Sequence, residues 1–573
     1  METELQGGFR RETSVVDTDV LIAGAGPVGL TAAAELRRHG AGCRLVDRLP
    51  ARLPYAKAVG VQPRTLEMWD RMGVVRAVLE AAVPLRGQLV YSDGVERARL
   101  ELRLPPEVPY AFAALPQYET ERILEEHLAR FGTAIERETE LLDFTQDADG
   151  VVSRVVTASG EEREVRSRFL VGCDGAHSTV RKKLGLAFEG GRFPEEYMLA
   201  DVEVDWSLPQ GYGVRASHHD AEGRVDDRLV CVPLPGDRRY RISMQVPPEL
   251  SAADGGGAPD AVAHGLESGR APGLEHVQAV LDRMSPEPTT ASALRWSSVF
   301  RISHRLVDRY GDGRVLVAGD AAHIHPPTGA QGMNTGIQDA CDLAWKLALA
   351  LDGGPRTRLL AGYDAERRPV GAEVVGRTVR HAAQDGVRAA PGDFTTVMLR
   401  EAQLLVAYPD SPLIVPDGAA PGGAGSAGPL PGQRVPDCRG LTARLATTPL
   451  RLYDLLRERG HVLVLYADGA EALPGCGAAA AGIRRLTDGR VLAFVVAARE
   501  VDTPEADRGQ LDADGRAVPV FRDDEGEFAR LFGGDATAFL VRPDGYLAAR
   551  QSPPAAPGAG SALAEAVERV FGG

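Results

Sequence analysis

Long apolar runs and paired cysteines are both scarce in this chain. No run of about 18 apolar residues is present to cross a membrane, and residues 1–19 contain no apolar segment typical of a secretory signal. The six cysteines lie far apart in the sequence and none belongs to a CxxC pair, which argues against a thiol redox centre or a zinc ribbon. We therefore expect a cytoplasmic protein in a reducing environment.

Positive charge is also in short supply. The chain has 65 Lys and Arg residues against 80 Asp and Glu residues, which gives a formal net charge of −15. Because nucleic acids and anionic membranes bind basic surfaces, this balance disfavours both as general partners. The 573 residues, of which 44% are hydrophobic, exceed what one ordinary core accommodates. We therefore expect two or three globular domains.

A glycine-rich turn follows the first strongly apolar segment, DTDVLIAGAG. Gly24, Gly26 and Gly29 form a GxGxxG motif, and Pro27 begins a predicted helix within it. In such a motif the glycines permit a tight turn, close approach of a pyrophosphate, and close packing of helix on strand. Asp47 ends the next predicted strand about 20 residues later, where an acid accepts hydrogen bonds from ribose hydroxyls. The segment predicts a dinucleotide site but does not decide between FAD and NAD(P).

Two later segments distinguish between FAD and NAD(P) as the bound dinucleotide. CDGAHSTVR at 173–181 follows an apolar strand, and GDAAH at 319–323 continues as IHPPTGAQGMNTGIQDA. Together with the GxGxxG motif they resemble the three signatures of the class A flavoprotein aromatic hydroxylases, the group that includes p-hydroxybenzoate hydroxylase. AVGVQPRTLEMWDRMGV, YDAERRPVG and RPDGYLAAR extend the similarity over most of the chain. The closer resemblance is to actinobacterial polyketide and phenol hydroxylases.

The resemblance implies an α/β fold. It consists of a Rossmann-like FAD-binding domain with an inserted mixed β-sheet substrate domain, followed by a C-terminal thioredoxin-like α/β domain. We place the FAD-binding domain at 17–190 and 301–408, the substrate-binding domain at 191–300, a Pro- and Gly-rich linker at 409–433, and the thioredoxin-like domain at 434–573. Since all three flavin motifs precede residue 345, we expect a core truncated within the linker still to bind FAD.

FAD is the cofactor that the resemblance implies, and its contacts are spread over every motif. The residues assigned to it are Gly24, Gly26, Pro27, Gly29, Asp47, Arg48, Lys57, Gln117, Asp174, Gly175, Gly319, Asp320, Gly329, Gln331, Gly332, Met333 and Asn334. Lys57 stands where an arginine is more usual in the family. For Asp174, capping of a strand-end turn is the alternative role.

Specific roles at the flavin are expected for Asp320, for Pro327 and for the helix that begins at about Asn334. Asp320 ends a buried strand, so we expect its carboxylate to accept hydrogen bonds from the ribityl hydroxyls; capping of the next segment is the alternative. In the family, the backbone at Pro327 lies over the reactive C4a edge of the flavin. A long helix from about Asn334 would direct its N-terminus at the pyrimidine end, where it stabilises the negative charge of reduced flavin.

No metal site is expected. His323 and His325 form an H-x-H pair, but no third ligand has suitable spacing, so His323 is interpreted as a packing residue. In the C-terminal domain, Cys438 and Cys476 do not form a CxxC pair, and a thiol–disulfide role is not expected.

The implied activity is an FAD- and NAD(P)H-dependent monooxygenation. The resemblance implies that the enzyme uses O2 to hydroxylate an aromatic, phenolic or polyketide-type substrate through a flavin C4a-hydroperoxide, as in antibiotic biosynthesis. No second GxGxxG follows a strand, which agrees with NADPH or NADH binding only transiently as reductant.

Baeyer–Villiger oxygenation of a polycyclic ketone and a non-catalytic flavin-binding role are the alternatives. Halogenation is disfavoured because no WxWxIP-like segment exists. The substrate, its activating residue and a homo-oligomeric state are left open.

Overall fold

The computed structural model describes residues 16–54, 58–246, 271–383, 393–417, 428–444, 446–501, 510–511 and 515–572. The strands are β1 Thr18–Ala23, β2 Cys43–Val46, β3 Gly60–Val61, β4 Val83–Pro84, β5 Gly87–Ser92, β6 Val95–Glu101, β7 Ala113–Ala114, β8 Ile135–Glu136, β9 Thr139–Gln146, β10 Val151–Thr157, β11 Glu162–Gly172, β12 Phe188–Val204, β13 Tyr212–His219, β14 Val225–Pro233, β15 Arg239–Gln245, β16 Ala291–Val307, β17 Gly311–Asp312, β18 Val315–Val317, β19 His323–Ile324, β20 Leu441–Thr442, β21 Val462–Ala467, β22 Leu492–Ala498, β23 Gln510–Leu511, β24 Ala517–Val518, β25 Val520–Asp523, β26 Thr537–Val541 and β27 Leu547–Gln551.

The helices are α1 Pro27–Arg38, α2 Pro63–Met72, α3 Val75–Ala81, α4 Gln117–Ala129, α5 Thr179–Lys183, α6 Leu274–Met284, α7 Gly332–Leu351, α8 Arg356–Ala383, α9 Phe394–Glu401, α10 Leu452–Leu455, α11 Leu473–Leu486, α12 Glu527–Phe532 and α13 Ala562–Phe571. No helix within the described ranges is both long and apolar enough to cross a membrane.

The first sheet forms the domain that the sequence predicted to bind FAD. Its strands run in the order β17-β18-β11-β1-β2-β8, with β9 and β10 attached to β11 as an antiparallel extension. The central strand β1 pairs in parallel with both β2 and β11. Val20, Leu21 and Ile22 in β1 have no exposed surface, as expected for a strand covered on both faces. Helix α1 ends at Arg38, and Gly40 follows with φ +88°, a conformation that glycine readily adopts and that ends the helix.

The second sheet is mixed and lies beside the first. The strand order in this sheet is β19-β16-β12-β15-β14-β13-β5-β6. Strands β13 and β5 pair in parallel, and all other described strand pairs of the sheet are antiparallel. Helix α6 covers one face, where Val277 and Leu281 pack on Met198 and Ile242. The sequence-based range of 191–300 differs from this sheet, because the hairpin β5–β6 joins it from residues 87–101. A remote hairpin can add an edge strand without leaving a local signal in the sequence.

The third sheet builds the C-terminal domain, in the order β20-β25-β22-β21-β26-β27. Strands β21, β22 and β25 are parallel, and β26 and β27 are antiparallel. Helices α11 and α13 cover it with apolar side chains such as Ile483 and Leu563. Cys438 and Cys476 are buried and not bonded to each other. The predicted α/β fold class is confirmed.

The segment interpreted as a linker is only partly described, because 418–427 lie outside the described residues. Its first part does not behave as a surface connection. Leu413, Ile414 and Val415 are each at most 5% exposed, and the backbone N–H of Val415 donates to the Ala548 carbonyl at 2.9 Å. These residues are therefore not an exposed linker, since they pack between the two domains.

Candidate active site

The three glycines of the first motif differ in how much space a side chain at each position would have. A Cβ on Gly24, whose φ is +100°, would lie 2.3 Å from the Cys173 carbonyl oxygen, and one on Gly29 would lie 1.9 Å from the Gly24 oxygen. A Cβ on Gly26 would meet no heavy atom within 4 Å. Two of the glycines are therefore needed for the fold, whereas Gly26 borders open space at the N-terminus of α1, as a phosphate cradle requires.

Asp47 braces the glycine-rich turn. Its Oδ2 accepts a hydrogen bond from the Ala25 N–H at 2.6 Å, and its Oδ1 accepts from the Leu49 N–H at 2.8 Å. Each carboxylate oxygen retains a lone pair for a ribose hydroxyl. The neighbouring Arg48 is exposed. The ribose contact of Asp47 stays a prediction.

Asp174 takes the capping role that the sequence left as an alternative. Its Oδ2 accepts hydrogen bonds from the N–H groups of Thr179 and Val180, at 2.7 and 3.1 Å, at the start of α5. Its Oδ1 is buried and has no hydrogen-bond partner among the described residues. Burial also raises the pKa of Asp174. An orphaned oxygen beside Gly175, whose φ is +76°, is what a polar cofactor group would satisfy.

Gln117 begins α4 and contacts Ala58. Its Oε1 accepts a hydrogen bond from the Ala58 N–H at 3.3 Å, and its Nε2 donates to Oε1 of Glu121 at 2.9 Å. Burial raises the pKa of Glu121 to about 7. The sequence did not single out Glu121, because nothing in a helical acid signals that it is buried. Lys57 lies outside the described residues.

Asp320 lies in a turn just beyond the end of a buried strand. Strand β18 ends at Val317, Gly319 adopts φ +62°, and Asp320 follows in a short 3-10 turn. Its residue surface is exposed. The positive φ of Gly319 reverses the chain and brings the carboxylate out of the sheet. An exposed acid at this point is accessible to the ribityl hydroxyls.

Asp320→Ala should weaken FAD binding more than it destabilises the apoprotein. The substitution removes charge-assisted hydrogen bonds worth roughly 1.5–3 kcal/mol each, while an exposed side chain contributes little to folding. Titration of FAD and thermal unfolding of the apoprotein would measure the two effects separately. Asp312→Ala, at another exposed acid of the same sheet, is the matched control. Unchanged FAD affinity in Asp320→Ala would contradict the assigned role.

The flavin loop, defined here as residues 326–332, ends at the N-terminus of α7. Pro327 is exposed and Gly329 has φ +76°. The first bond of the helix runs from the Thr335 N–H to the Gln331 carbonyl, so the N–H groups of Gly332 and Met333 precede the hydrogen-bonded ladder. The N-terminus of this 20-residue helix therefore offers donors and partial positive charge to an anionic ring.

Asn334 holds the flavin loop to the rest of the domain. Its Oδ1 accepts hydrogen bonds from the Gln62 N–H at 2.9 Å and the Thr65 hydroxyl at 2.7 Å. Its Nδ2 donates to the carbonyls of Gly60 at 2.9 Å and Ala330 at 2.7 Å. All four hydrogen-bonding positions of the amide are thus used within the protein. The amide positions the loop, and only the backbone of this residue is left for a cofactor.

The side-chain amide of Gln331 also forms its hydrogen bonds within the protein. It has no exposed surface, and its Nε2 donates to the carbonyls of Gly329 at 2.9 Å and Glu401 at 3.1 Å. Its Oε1 accepts from Gln403 Nε2 at 2.7 Å and from Arg377 Nη2 at 3.3 Å. The glutamine therefore fixes the flavin loop from behind, a role that the motif itself did not indicate.

His323 packs behind the flavin motif, as interpreted from the sequence. Its Nε2 lies 2.8 Å from Oδ2 of Asp339, and both side chains are buried. Asp339 also accepts hydrogen bonds from the Gly319 N–H at 3.1 Å and from Nε of Arg367 at 2.8 Å. Although burial opposes ionisation, Arg367 and His323 hold the pKa of Asp339 below its usual range. Asp339 thus joins the third motif to α7 and α8.

One acidic cluster within the described ranges has the spacing of metal ligands, and it includes neither His323 nor His325. It consists of Asp342, Glu366 and Asp544, all buried. Lys346 Nζ lies 2.6 Å from Glu366 Oε2, and Arg542 Nη1 lies 2.6 Å from Glu366 Oε1. Two protein cations therefore already occupy the position of an ion, and the cluster is an ion-pair network between domains.

Comparison with known proteins matches both parts of the chain. A family model described as an FAD binding domain matches residues 17–378, and one described as the C-terminal domain of aromatic-ring hydroxylases matches 428–573. The chain is 34% identical to a flavin-dependent monooxygenase of Mycobacteroides abscessus, over 79% of this chain and 89% of the relative. It is 34% identical to a 6-methylpretetramide 4-monooxygenase of Streptomyces rimosus, over 93% of this chain and 90% of the relative. A pentachlorophenol 4-monooxygenase of Sphingobium chlorophenolicum is 31% identical, over 93% and 94%.

Two solved structures share the whole architecture. A ternary complex of aklavinone-11 hydroxylase with FAD and aklavinone has a TM-score of 0.73 at 26% identity, covering 97% of this chain and 99% of that chain. An anhydrotetracycline hydroxylase from Streptomyces rimosus has a TM-score of 0.68 at 30% identity, with the same coverage.

Proposed function

This chain belongs to the FAD-dependent aromatic-ring monooxygenases, and from that membership we propose that it hydroxylates a phenolic or polyketide-type aromatic ring with a nicotinamide and O2. The observation that carries the proposal is a pair of helix N-termini suited to a dinucleotide. Gly26 borders open space at the start of α1, and the α7 N-terminus follows the flavin loop. Bound FAD supplies the electron transfer from the nicotinamide and the activation of O2.

The protein's own groups would provide binding and charge stabilisation. The orphaned Oδ1 of Asp174 and the exposed Asp320 are acceptors for cofactor hydroxyls or amides. The N–H groups of Gly332 and Met333 would stabilise negative charge on the reduced ring. Gln331 and Asn334 keep the flavin loop in place, so these donors are oriented before the reaction begins.

The substrate is proposed to lie against the face of the second sheet that α6 leaves uncovered. Ser243 pairs in register with Leu199 and Val230, so the three side chains lie together on that face. Two residues beyond Val230, Val232 packs against a small apolar cluster that includes Val59 and Ala114 of the FAD-binding domain. This face is therefore directed at the FAD-binding domain, and its half-buried apolar and hydroxyl side chains suit a flat phenolic ring.

Strand β19 ties the flavin loop to the same sheet. Leu306 and Arg305 of β16 pair with His323 and Ile324, immediately before the loop. The flavin loop and the proposed substrate face are thereby held by one hydrogen-bonded framework. Such a framework favours a fixed distance between cofactor and substrate, which hydroxylation requires.

Substrate-stimulated NADH or NADPH oxidation, followed by product mass spectrometry with isotope-labelled O2, tests the proposal. We expect stimulation by some members of a panel of phenols, naphthols and polycyclic aromatics, and transfer of one labelled oxygen atom to a ring carbon. Stimulated oxidation that yields only hydrogen peroxide across the panel would contradict hydroxylation. Insertion of the label beside a ketone carbonyl would instead identify Baeyer–Villiger chemistry.

A further inference from the structure

The hairpin turn between β26 and β27, residues 542–546, is buried inside the molecule. Arg542 and Tyr546 have no exposed surface, and the turn is closed by the Arg542 N–H donating to the Tyr546 carbonyl at 2.8 Å. Hairpin turns ordinarily lie at the surface, where water satisfies their polar groups. This turn leaves the C-terminal domain and enters the FAD-binding domain, so its polar groups are satisfied there.

The guanidinium of Arg542 is the centre of that contact. Nη1 donates to Oε1 of Glu366 at 2.6 Å, and Nη2 donates to Oε2 of Glu366 at 2.8 Å and to Oδ1 of Asp342 at 3.1 Å. Lys346 binds the same two carboxylates. A buried ion pair that loses one partner leaves an uncompensated charge. Arg542 therefore fixes the relative position of α7, which carries Asp342, and α8, which carries Glu366.

One path from the 542–546 turn leads to the flavin loop through α2. Arg64 Nη2 donates to the Asp544 carbonyl at 2.9 Å, and Arg71 Nε donates to the Pro543 carbonyl at 3.1 Å. Both arginines belong to α2. The start of the same helix carries Thr65, whose hydroxyl donates to Asn334, and the Asn334 amide donates to the Ala330 carbonyl of the flavin loop. A shift of the turn would therefore move the helix that holds this loop.

A second path leads to the third flavin motif through α8. The ring of Tyr546 lies 4.3 Å from that of Tyr408, measured between centroids. The Tyr408 hydroxyl accepts from Arg367 Nη1 at 2.8 Å, and Arg367 Nε donates to Asp339 at 2.8 Å. Asp339 in turn accepts from the Gly319 N–H. Contiguous buried polar contacts of this kind can transmit a displacement.

We propose that the 542–546 turn is a positioning element of the flavin site, with Arg542 as its positioning residue. By holding α2, α7 and α8 together, the turn sets the orientation of the flavin loop and of the α7 N-terminus. The C-terminal domain is then an integral part of the cofactor site, although none of the residues assigned to FAD belongs to it. The inference rests on the proposed function only for the identity of the cofactor, FAD.

The test compares Arg542→Gln with Arg542→Lys and with a matched control in the full-length, FAD-loaded protein. The control is Arg522→Gln, because Arg522 donates to the carbonyls of Val501 and Arg499 inside the C-terminal domain. The readouts are the FAD Kd, the visible absorption spectrum of the bound flavin and its reduction potential. We expect Arg542→Gln to raise the Kd roughly tenfold and to alter the spectrum and potential. Arg542→Lys should restore part of the affinity, and Arg522→Gln should change none of the three.

A folded Arg542→Gln protein with the Kd, spectrum and potential of the wild type would overturn the proposal. If Arg542→Gln does not fold, Tyr546→Leu tests the proposal instead. This substitution removes the contact with Tyr408 without leaving a buried charge. We expect it to weaken FAD binding several-fold, and unchanged binding would likewise overturn the proposal. Because these readouts do not depend on turnover, they are separate from the assay of the proposed function. A wild-type protein that binds no FAD would instead refute the function itself.

Discussion

Gly26→Val protein should fold normally and be purified without FAD. Gly26 has φ −75° and ψ −177°, which a valine adopts without strain, and a Cβ there meets no protein atom within 4 Å. The added side chain would occupy the space by which a pyrophosphate reaches the backbone. We expect the FAD Kd to rise roughly a hundredfold, equivalent to about 2.8 kcal/mol. Flavin absorbance per chain and a titration of the apoprotein would measure the loss.

Gly29→Ala is the control for this experiment. Its Cβ would lie 1.9 Å from the Gly24 carbonyl oxygen, so this variant should lose folding together with FAD. Gly26→Val, in contrast, should keep the far-UV circular dichroism and the Tm of wild-type apoprotein. A yellow Gly26→Val protein with full occupancy would show that the pyrophosphate does not lie at this turn.

Removal of residues 428–573 should prevent the remaining chain from forming a stable core. Arg434 and Arg451 of the C-terminal domain face Glu67 and Asp70 of α2, whose side chains have no exposed surface. The cut removes these partners and leaves the acids without their counter-charges. Even when water reaches them, attractions worth about 0.5–2 kcal/mol each are lost, against a total stability of about 5–15 kcal/mol.

Apolar surface adds to the effect of the truncation. Trp345, Leu359 and Leu413 form a small core with Val570 of α13, and the cut uncovers their side chains. Exposed apolar patches of this kind promote aggregation. The sequence alone led us to expect a core that keeps FAD, because all three flavin motifs precede the cut. The buried interface reverses that expectation.

Soluble yield, size-exclusion chromatography and flavin content of the truncated chain would measure the outcome. Co-expression of 1–417 with 428–573 is the control, because the second fragment supplies the missing cations and apolar cover. We expect this pair to recover bound FAD. A truncated chain that is monodisperse, with native circular dichroism and full flavin content, would show that the C-terminal domain is dispensable for the core.

What the sequence determined by itself is local in character. The Gly24–Gly29 turn, the strand before it, the helix stop at Gly40 and the motif around Gly319 depend on backbone conformations that few residues adopt. Each of these features therefore has a short and specific pattern. The family resemblance carried by those patterns also predicted the fold class, the flavin and membership of the FAD-dependent aromatic-ring monooxygenases, which the comparisons confirmed.

Only the tertiary structure decided how the remaining side chains are used. It placed Asp320 at the surface and assigned one oxygen of Asp174 to a helix cap. It also joined Arg542 to Glu366 across 176 positions of the chain. A charge in a sequence does not state whether it will be solvated or buried, since that depends on segments that meet only after folding. For this reason the glycines of the flavin site could be predicted from the sequence, whereas the ion pairs that hold its helices together could not.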